Sequence, residues 1–334
     1  MRRVGVVIPY YQREAGLLRR ALDSVAAQDL PADVYMTLVV VDDESPLPTT
    51  NELAGFVGTP RCDVVLLSQR NGGPGAARNR GLNELDPTTI DYIAFLDSDD
   101  AWYPEHIEKA LKHLRSCDFY FCNVAEEVTD LFSYSTYIQK NHRVNEGLGY
   151  DPVDRTVSGE EAFEALLDEC FVSTSQVVYH FSRFSDVRFS TDQGRVGEDL
   201  LFWLELARRS QKVTYSTELM GARGWGVSTY RESLSWNSPN VLDRLVDGLK
   251  LERRKSRLAK DSAARRIMSN RRREARDLLT ILMVREVFRR PRIAWRAAMR
   301  LVVEAPEYFL LAPLSVVRAP MKLRSLRRSA FLRT

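Results

Sequence analysis

Four short apolar runs, each ending where a strand must stop, constrain this fold most tightly. Val4-Gly5-Val6-Val7-Ile8 ends at Pro9, Leu38-Val39-Val40-Val41 at Asp42-Asp43, and Tyr92-Ile93-Ala94-Phe95-Leu96 at Asp97-Ser98-Asp99-Asp100. Val64-Val65-Leu66-Leu67 leads into a glycine-rich turn. Runs of this length read as buried strands, whereas Leu17, Leu18, Ala21, Leu22 and Val25, and the stretch from about Ala76 to Leu85, carry helical spacing. Strands separated by helices predict an α/β fold, a mostly parallel sheet flanked by helices. Ligands of such sheets gather at the carboxyl ends of the strands. Pro9-Tyr10-Tyr11, Asp42-Asp43, the glycine-rich turn and the Asp97–Asp100 segment all fall at those ends and are expected to line one crevice.

The acidic segment is the strongest chemical signal. Three carboxylates that close repel and are driven toward protonation unless positive charge lies between them. A hard divalent cation such as Mg²⁺ or Mn²⁺ takes carboxylate oxygens and leaves positions for phosphate. A plain cap on the following helix, at Trp102-Tyr103-Pro104-Glu105, is the other reading. Asn71-Gly72-Gly73-Pro74-Gly75-Ala76-Ala77-Arg78 fits neither of the usual phosphate-loop patterns. It still brings backbone and a helix N-terminus close to an anion, with Arg78 placed to pair with phosphate or with a nearby acid. Asp42-Asp43 can accept from a base or ribose, and Tyr10 and Tyr11 can offer ring faces; strand-end decoration is equally open. Glu198-Asp199 opens an apolar helix, either as a dipole-favoured cap or as a general base. His106, His113, His142 and His180 lack ligand spacing and read as packing or surface residues.

With 334 residues the chain suits one large or two small domains. Cys62, Cys117, Cys122 and Cys170 show no metal-binding spacing and read as free thiols of a reducing cytosol. The longest apolar tract, Tyr308 to Val317, is interrupted by Pro313 and too short to span a bilayer. Beyond the fourth strand we expect a strand at Phe119–Cys122, a polar excursion over 129–157, a helix at Glu160–Leu167, a strand over Ser173–Tyr179 and helices from about 241 onward. The net charge of +3 conceals a division: residues 1–243 carry about −14 and residues 244–334 about +17. The expected organisation is an α/β body over 1–240, in halves of about 1–120 and 121–240, followed by a basic helical extension over 241–334.

The motifs together resemble family 2 glycosyltransferases: Val-Val-Ile-Pro-Tyr-Tyr, Val-Asp-Asp-Glu-Ser, the Asn-Gly-Gly-Pro-Gly-Ala-Ala-Arg-Asn-Arg-Gly segment, Phe-Leu-Asp-Ser-Asp-Asp and Gly-Glu-Asp occur in that family's order over about residues 3–235. The opening is most similar to the bacterial exopolysaccharide branch with succinoglycan-type glucosyltransferases. The resemblance implies a GT-A fold, a UDP-sugar donor (UDP-glucose first), Mn²⁺ or Mg²⁺, inversion at the anomeric carbon and a saccharide acceptor, lipid-linked in this branch. It implies a catalytic domain whose first half, about 1–120, takes the nucleotide sugar and whose second, about 121–240, takes the acceptor; that Pro9, Tyr11 and Asp43 hold the uracil end; that Arg78 lies near the nucleotide; and that Asp97 and Asp99 form the metal-binding Asp-x-Asp motif, with Asp99 the more direct ligand. It gives Asp199 the role of base, with Glu198 beside it, and places Gln176 and Ser173-Thr174-Ser175 near sugar or acceptor. Two positions depart from the pattern: Glu205 stands where many relatives carry arginine, and Trp225 of Arg223-Gly224-Trp225-Gly226 where many carry histidine.

The tail sets Arg253-Arg254-Lys255, Arg265-Arg266, Arg271-Arg272-Arg273 and Arg289-Arg290 among Ile281, Leu282, Val287, Phe288, Trp295, Met299 and Leu301. Basic residues beside apolar ones describe an interfacial helix on anionic lipid. A solvated face over a packing stripe, or a homo-oligomer contact, is the alternative; nucleic acid is not expected, because no recognition module accompanies the charge. The expected location is cytoplasmic, peripheral on the inner face of the plasma membrane. A nucleotidyltransferase on a related fold and a non-catalytic, membrane-docked scaffold that binds nucleotide sugar are the competing functions.

Overall fold

The apolar runs form the expected strands, each a little longer than its hydrophobic centre: β1 (Arg2–Tyr10), β2 (Val34–Asp42), β3 (Cys62–Ser68) and β4 (Tyr92–Phe95). Between them lie α1 (Leu17–Ala26), α2 (Thr49–Leu53) and α3 (Pro74–Glu84). This computed structural model describes residues 1–56, 58–125, 154–194, 196–227, 231–259 and 262–326. Leu18, Ala21, Leu22 and Val25, on one face of α1, bury completely in a cluster with Val4, Val6, Ile8, Leu38 and Val40. β1 lies parallel to β2 on one side (Val4 opposite Met36) and to β4 on the other (Val6 opposite Ala94), with β3 parallel to β2 beyond. The chain thus runs outward from β1 through β2 to β3, then returns to place β4 on the other side of β1. That reversal is a topological switch point, where the connections leave the sheet in opposite directions and open a crevice.

The strictly parallel pattern ends there. β5 (Ala101–Trp102), α4 (His106–His113), β6 (Phe119–Ala125), β7 (Asp154–Ser158), α5 (Gly159–Asp168), β8 (Val177–His180), α6 (Phe181–Phe184), α7 (Glu198–Arg209) and β9 (Lys212–Ala222) complete the unit. The sheet order is β3-β2-β1-β4-β8-β6-β9-β5, with β7 also paired to β9. β8 is antiparallel to both β4 and β6, and β5 and β7 are antiparallel to β9, while β6 and β9 are parallel. The sheet is therefore mixed rather than mostly parallel, because the strand–helix alternation that enforces parallel pairing does not continue past β4.

Three further expectations change. Val64 and Leu66 remain partly exposed, since β3 is the sheet's edge and not a buried strand. Residues 154–157 of the expected polar excursion form β7, and the remainder, 129–153, lies outside the described residues. Ser173–Tyr179 is not one strand: Thr174–Gln176 is a 3₁₀ turn, and pairing begins at Val177. α5 starts on a capping box, Ser158 Oγ accepting from the Glu161 amide at 3.2 Å and the Glu161 carboxylate from the Ser158 amide at 2.9 Å.

The chain divides into two units, Met1–Thr191 with Asp199–Val227, and Asp192–Glu198 with Ser228–Thr334. The division falls at 227, earlier than the expected 240, and a short earlier segment joins the second unit. That segment is tied to α8 (Val241–Leu258): the Gln193 side chain donates to the Asp247 carbonyl at 3.0 Å, and Asp192 pairs with Arg254. α9 (Ser262–Arg289), α10 (Pro291–Glu304) and α11 (Glu307–Leu326) complete the second unit. Its own core holds Leu242, Leu245, Val246, Leu249, Leu279, Leu282, Ala297 and Leu301. No described helix is long and apolar enough to cross a membrane.

Candidate active site

At the switch point the hydrogen bonding between β1 and β4 stops near Val7, while β1 continues to Tyr10. Pro9, which has no N–H to donate, falls where that side of the strand no longer needs one. Pro9 is buried, Tyr10 turns into the core and Tyr11 lies half-buried at the strand end. The β4 side of the crevice is the Asp97–Asp100 turn, closed by the Asp100 amide donating to the Asp97 carbonyl at 3.0 Å.

The four residues of that turn alternate in role. Ser98 and Asp100 point inward and are buried, whereas Asp97 and Asp99 are half-buried. Ser98 Oγ accepts from Gln12 Nε2 at 2.9 Å. Asp100 accepts from Ser175 Oγ at 2.6 Å and from the Gly224 amide at 2.9 Å. Ser175 Oγ in turn accepts from the Asp97 amide at 3.0 Å, so one hydroxyl braces both ends of the turn. Asp99 accepts from the Gly226 amide at 2.7 Å, and the Val227 amide donates to Gln12 Oε1 at 2.9 Å. The Gly224–Val227 segment is therefore held to the acidic turn by two of its amides and to Gln12 by a third, with Trp225 51% exposed. A Cβ at Gly224 would stand 1.6 Å from the Asp99 carbonyl, so no other residue permits this approach.

Arg78 projects from the first turns of α3 and is only 4% exposed. Its Nη2 donates to Asp97 Oδ1 at 2.6 Å, and its guanidinium stands 5.2 Å from the Phe189 ring centre. Asn79 fixes that ring by exchanging two hydrogen bonds with the Phe189 backbone, at 2.9 and 2.8 Å. Asp199, at the start of α7, accepts from the Leu200 amide at 2.7 Å. Burial pushes its carboxyl above the usual range; the Leu200 bond and Arg78 pull it down, and Asp97 pushes it up again. Burial, followed by Asp97 and then Asp99, pushes the Asp100 carboxyl up to about 7. Glu198 is half-buried at the same helix start.

Asp43 is almost wholly buried and holds the glycine-rich turn. Its carboxylate accepts from the Gly72 and Gly73 amides at 2.9 and 2.8 Å and from Gln69 Nε2 at 2.7 Å. Gly73, at φ 84°, supplies the conformation that aims its amide this way. Asp42 closes the neighbouring turn onto Ser45 and Thr49, and Glu44 between them adopts φ 59°, a strained value for a residue with a side chain. Replacing Asp43 by Ala leaves three donors without their acceptor and is expected to cost about 1–3 kcal/mol of stability, measurable by urea unfolding.

The site residues read from the sequence fall into two groups. Arg78, Asp97 and Asp199 act on one another electrostatically, Asp99 and Asp97 both act on Asp100, and Asp43 holds the turn that leads into the helix bearing Arg78. Gln176 and the Ser173–Ser175 lip are less available than expected: Gln176 is buried with its Oε1 accepting from the Ser173 amide at 2.6 Å, and Ser175 is a brace. Glu205 pairs with Arg208 at 2.8 Å on the outer face of α7. The described histidines pack: His106 stacks on Trp102 and burial holds it down to about 3, His113 stacks on Tyr120, and His180 contacts the Leu114 carbonyl. Gln12 and Ser175 carry no motif; their only signal is position, one directly after a strand-ending Pro-Tyr-Tyr and the other in a Ser-Thr-Ser run.

Among the described residues no three His, Cys, Asp or Glu side chains form a metal cage. Asp97 and Asp99 nevertheless suit Mn²⁺ or Mg²⁺, which are commonly held by one or two carboxylates with the remaining positions given to water and phosphate. Burial is the main cause of the raised Asp100 carboxyl, and Asp97 and Asp99 raise it further; a divalent cation at the turn would offset that second contribution.

The mixed sheet that carries these residues, flanked by helices, has the GT-A glycosyltransferase fold. The family model "Glycosyl transferase family 2" matches residues 5–168. The succinoglycan biosynthesis protein ExoW of Rhizobium meliloti is 36% identical over 248 residues, which cover 72% of this chain and 75% of that protein. The chain belongs to glycosyltransferase family 2. Among solved structures, Staphylococcus aureus TarS 1–349 in complex with UDP-GlcNAc is similar at TM-score 0.54 and 18% identity, over 86% of this chain and 73% of that one. The mannosyltransferase PcManGT of Pyrobaculum calidifontis, in complex with GDP-Man and Mn²⁺, is similar at TM-score 0.54 and 16% identity, over 96% and 86%.

Proposed function

We propose that this enzyme transfers a hexose, glucose as the first candidate, from a UDP-sugar to a hydroxyl of a lipid-linked saccharide, with inversion, during synthesis of a bacterial surface polysaccharide. The observation that carries the reading is the juxtaposition of Arg78, the Asp97–Asp99 turn and a carboxylate of raised affinity for protons, Asp199, beside the switch point. The similarity to a succinoglycan biosynthesis protein supports the polysaccharide setting. An acceptor of this kind places the enzyme on the cytoplasmic face of the plasma membrane.

In this reading Pro9, Tyr11 and Asp43 hold the uracil end, and the Asp43 Oδ2 that accepts from Gly73 keeps a lone pair for the base. Asp99 and Asp97 would hold the divalent ion, which when bound supplies positive charge to the departing diphosphate. Arg78 holds Asp97 in place through their 2.6 Å ion pair. Asp199, with Glu198 beside it, takes the proton of the acceptor hydroxyl while that oxygen bonds to the anomeric carbon. The bond from that carbon to the diphosphate oxygen breaks on the opposite side, and its electron pair leaves with UDP. Trp225 offers its exposed indole face to cover the donor.

Calorimetric titration with a panel of UDP-sugars, with Mn²⁺ and with chelator, tests the reading. Metal-dependent binding of one UDP-sugar is the expected result. A folded protein that binds no nucleotide sugar would overturn the reading, and one that binds a UDP-sugar but neither hydrolyses nor transfers it would make the non-catalytic scaffold the better account.

A further inference from the structure

Large apolar side chains on the surface are concentrated in one part of the helical unit. Of the twenty that are exposed among the described residues, twelve fall between Val284 and Val317. Their phase is regular. In α10, Ala294, Ala297 and Leu301 enter the core, while Trp295, Met299, Val302 and Val303 point to the other side. In α11, Tyr308 and Ser315 are buried, and Leu310, Leu314 and Val317 lie opposite. The end of α9 repeats the arrangement, with Leu279, Leu282 and Glu286 inward and Val284, Val287 and Phe288 outward. At 100° per residue each helix carries two apolar faces, of which the bundle uses one. Phe288 is 84% exposed, Trp295 69% and Leu310 81%.

Charge selects the occupant. From Val284 to Thr334 the sequence holds twelve basic residues and three acids. All three acids are neutralised within the unit: Glu286 by Arg285 and Arg290, Glu304 by Arg300 at 2.9 Å, and Glu307 by Arg253 at 2.9 Å. Arg289 and Arg292 are exposed on the same stretch, as is Arg296, which pairs with Asp243. A second copy brought face to face would set like charges against each other, whereas an anionic surface neutralises them. Helices apolar on one outer side only, and none long enough to cross, lie in an interface and do not span it. Arginine stems can lie along the acyl boundary with their heads among phosphates.

We infer that the outer face of α9 (its C-terminal end), α10 and α11, centred on Phe288, Trp295 and Leu310, docks the protein on an anionic phospholipid bilayer. The assignment deepens the catalytic reading, on which it rests only for expecting the acceptor at a membrane. It also relocates the contact that the arginine clusters suggested. Arg253, Arg254, Lys255 and Arg272 are engaged by Glu307, Asp192 and Glu252 inside the unit, and Leu282 and Leu301 are core residues.

The test uses the full chain with phosphatidylcholine vesicles containing or lacking phosphatidylglycerol, the bound fraction being read by flotation. Binding to the anionic vesicles, weakened by salt, is expected. The triple variant Phe288→Ser, Trp295→Ser, Leu310→Ser should lower the partition on the order of a hundredfold or more. Its UDP-sugar turnover in solution, measured on the same samples, should match the parent, which separates a failed docking face from a failed catalytic reading. Undiminished binding by the variant would overturn the inference. So would a parent protein that ignores anionic vesicles and forms a dimer that the variant dissociates, since the face would then belong to a second copy.

Discussion

Asp199→Asn is expected to lower glycosyl transfer by about 10²–10⁴-fold with little change in UDP-sugar affinity. The substitution is conservative for the fold. The Asp199 oxygen accepts the Leu200 amide at 2.7 Å, and an amide oxygen can take its place. What disappears is the capacity to accept the acceptor's proton. The loss therefore belongs in kcat, and calorimetry of donor binding beside steady-state transfer reads the two separately. The parent's pH profile gives an independent reading. A base works only while deprotonated, and burial has raised this carboxyl, so transfer should decline with falling pH at a higher pH than an ordinary aspartate would set. The acid limb should vanish in the variant. Near-normal turnover by Asp199→Asn would move the base elsewhere.

The second large effect is expected at Asp99. Its carboxylate has two duties, seating the Gly226 amide at 2.7 Å and offering oxygen to a divalent ion. Asp99→Asn retains the first and removes the charge, whereas Asp99→Ala removes both. Each should weaken Mn²⁺-dependent UDP-sugar binding on the order of a hundredfold or more, since the ion contributes several kcal/mol at a diphosphate. With chelator present, the parent and Asp99→Asn should bind the donor equally weakly. A loss of donor binding in Asp99→Ala that Asp99→Asn does not share would assign Asp99 to loop anchoring alone. Unchanged Mn²⁺-dependent binding in Asp99→Ala would remove this residue from the donor site.

Local signals carried the first half of the fold, because each strand there has its own apolar run and its own stop. β1, β2, α1, α3 and β4 lie where periodicity puts them. Pairing direction beyond β4 depends on contacts distant in sequence, such as Ala94 opposite Val178, and no local pattern encodes those. The site divides in the same way. Asp43, Asp97, Asp99 and Arg78 were legible because they end a strand or begin a helix. Gln12 was not, since its role is to join Ser98, 86 positions away, to Val227, 215 positions away. In the tail, composition could not separate Leu282 and Leu301 from Phe288 and Trp295. All four are apolar among arginines, and only the rotation of each helix about its axis decides which faces the core.

The Gly224–Val227 segment has one more consequence, for how specificity can diversify. Its seat is made by two main-chain amides on the acidic turn, a third on Gln12, and the absence of a side chain at Gly224. None of those amide bonds uses the side chain of residue 225. The position is therefore modular: a ring, an imidazole or a cation can be exchanged there at the mouth of the crevice while the scaffold beneath stays fixed. For protein engineering, 225 is the natural site for a saturation library, because variation there explores substrate preference without having to re-solve the fold.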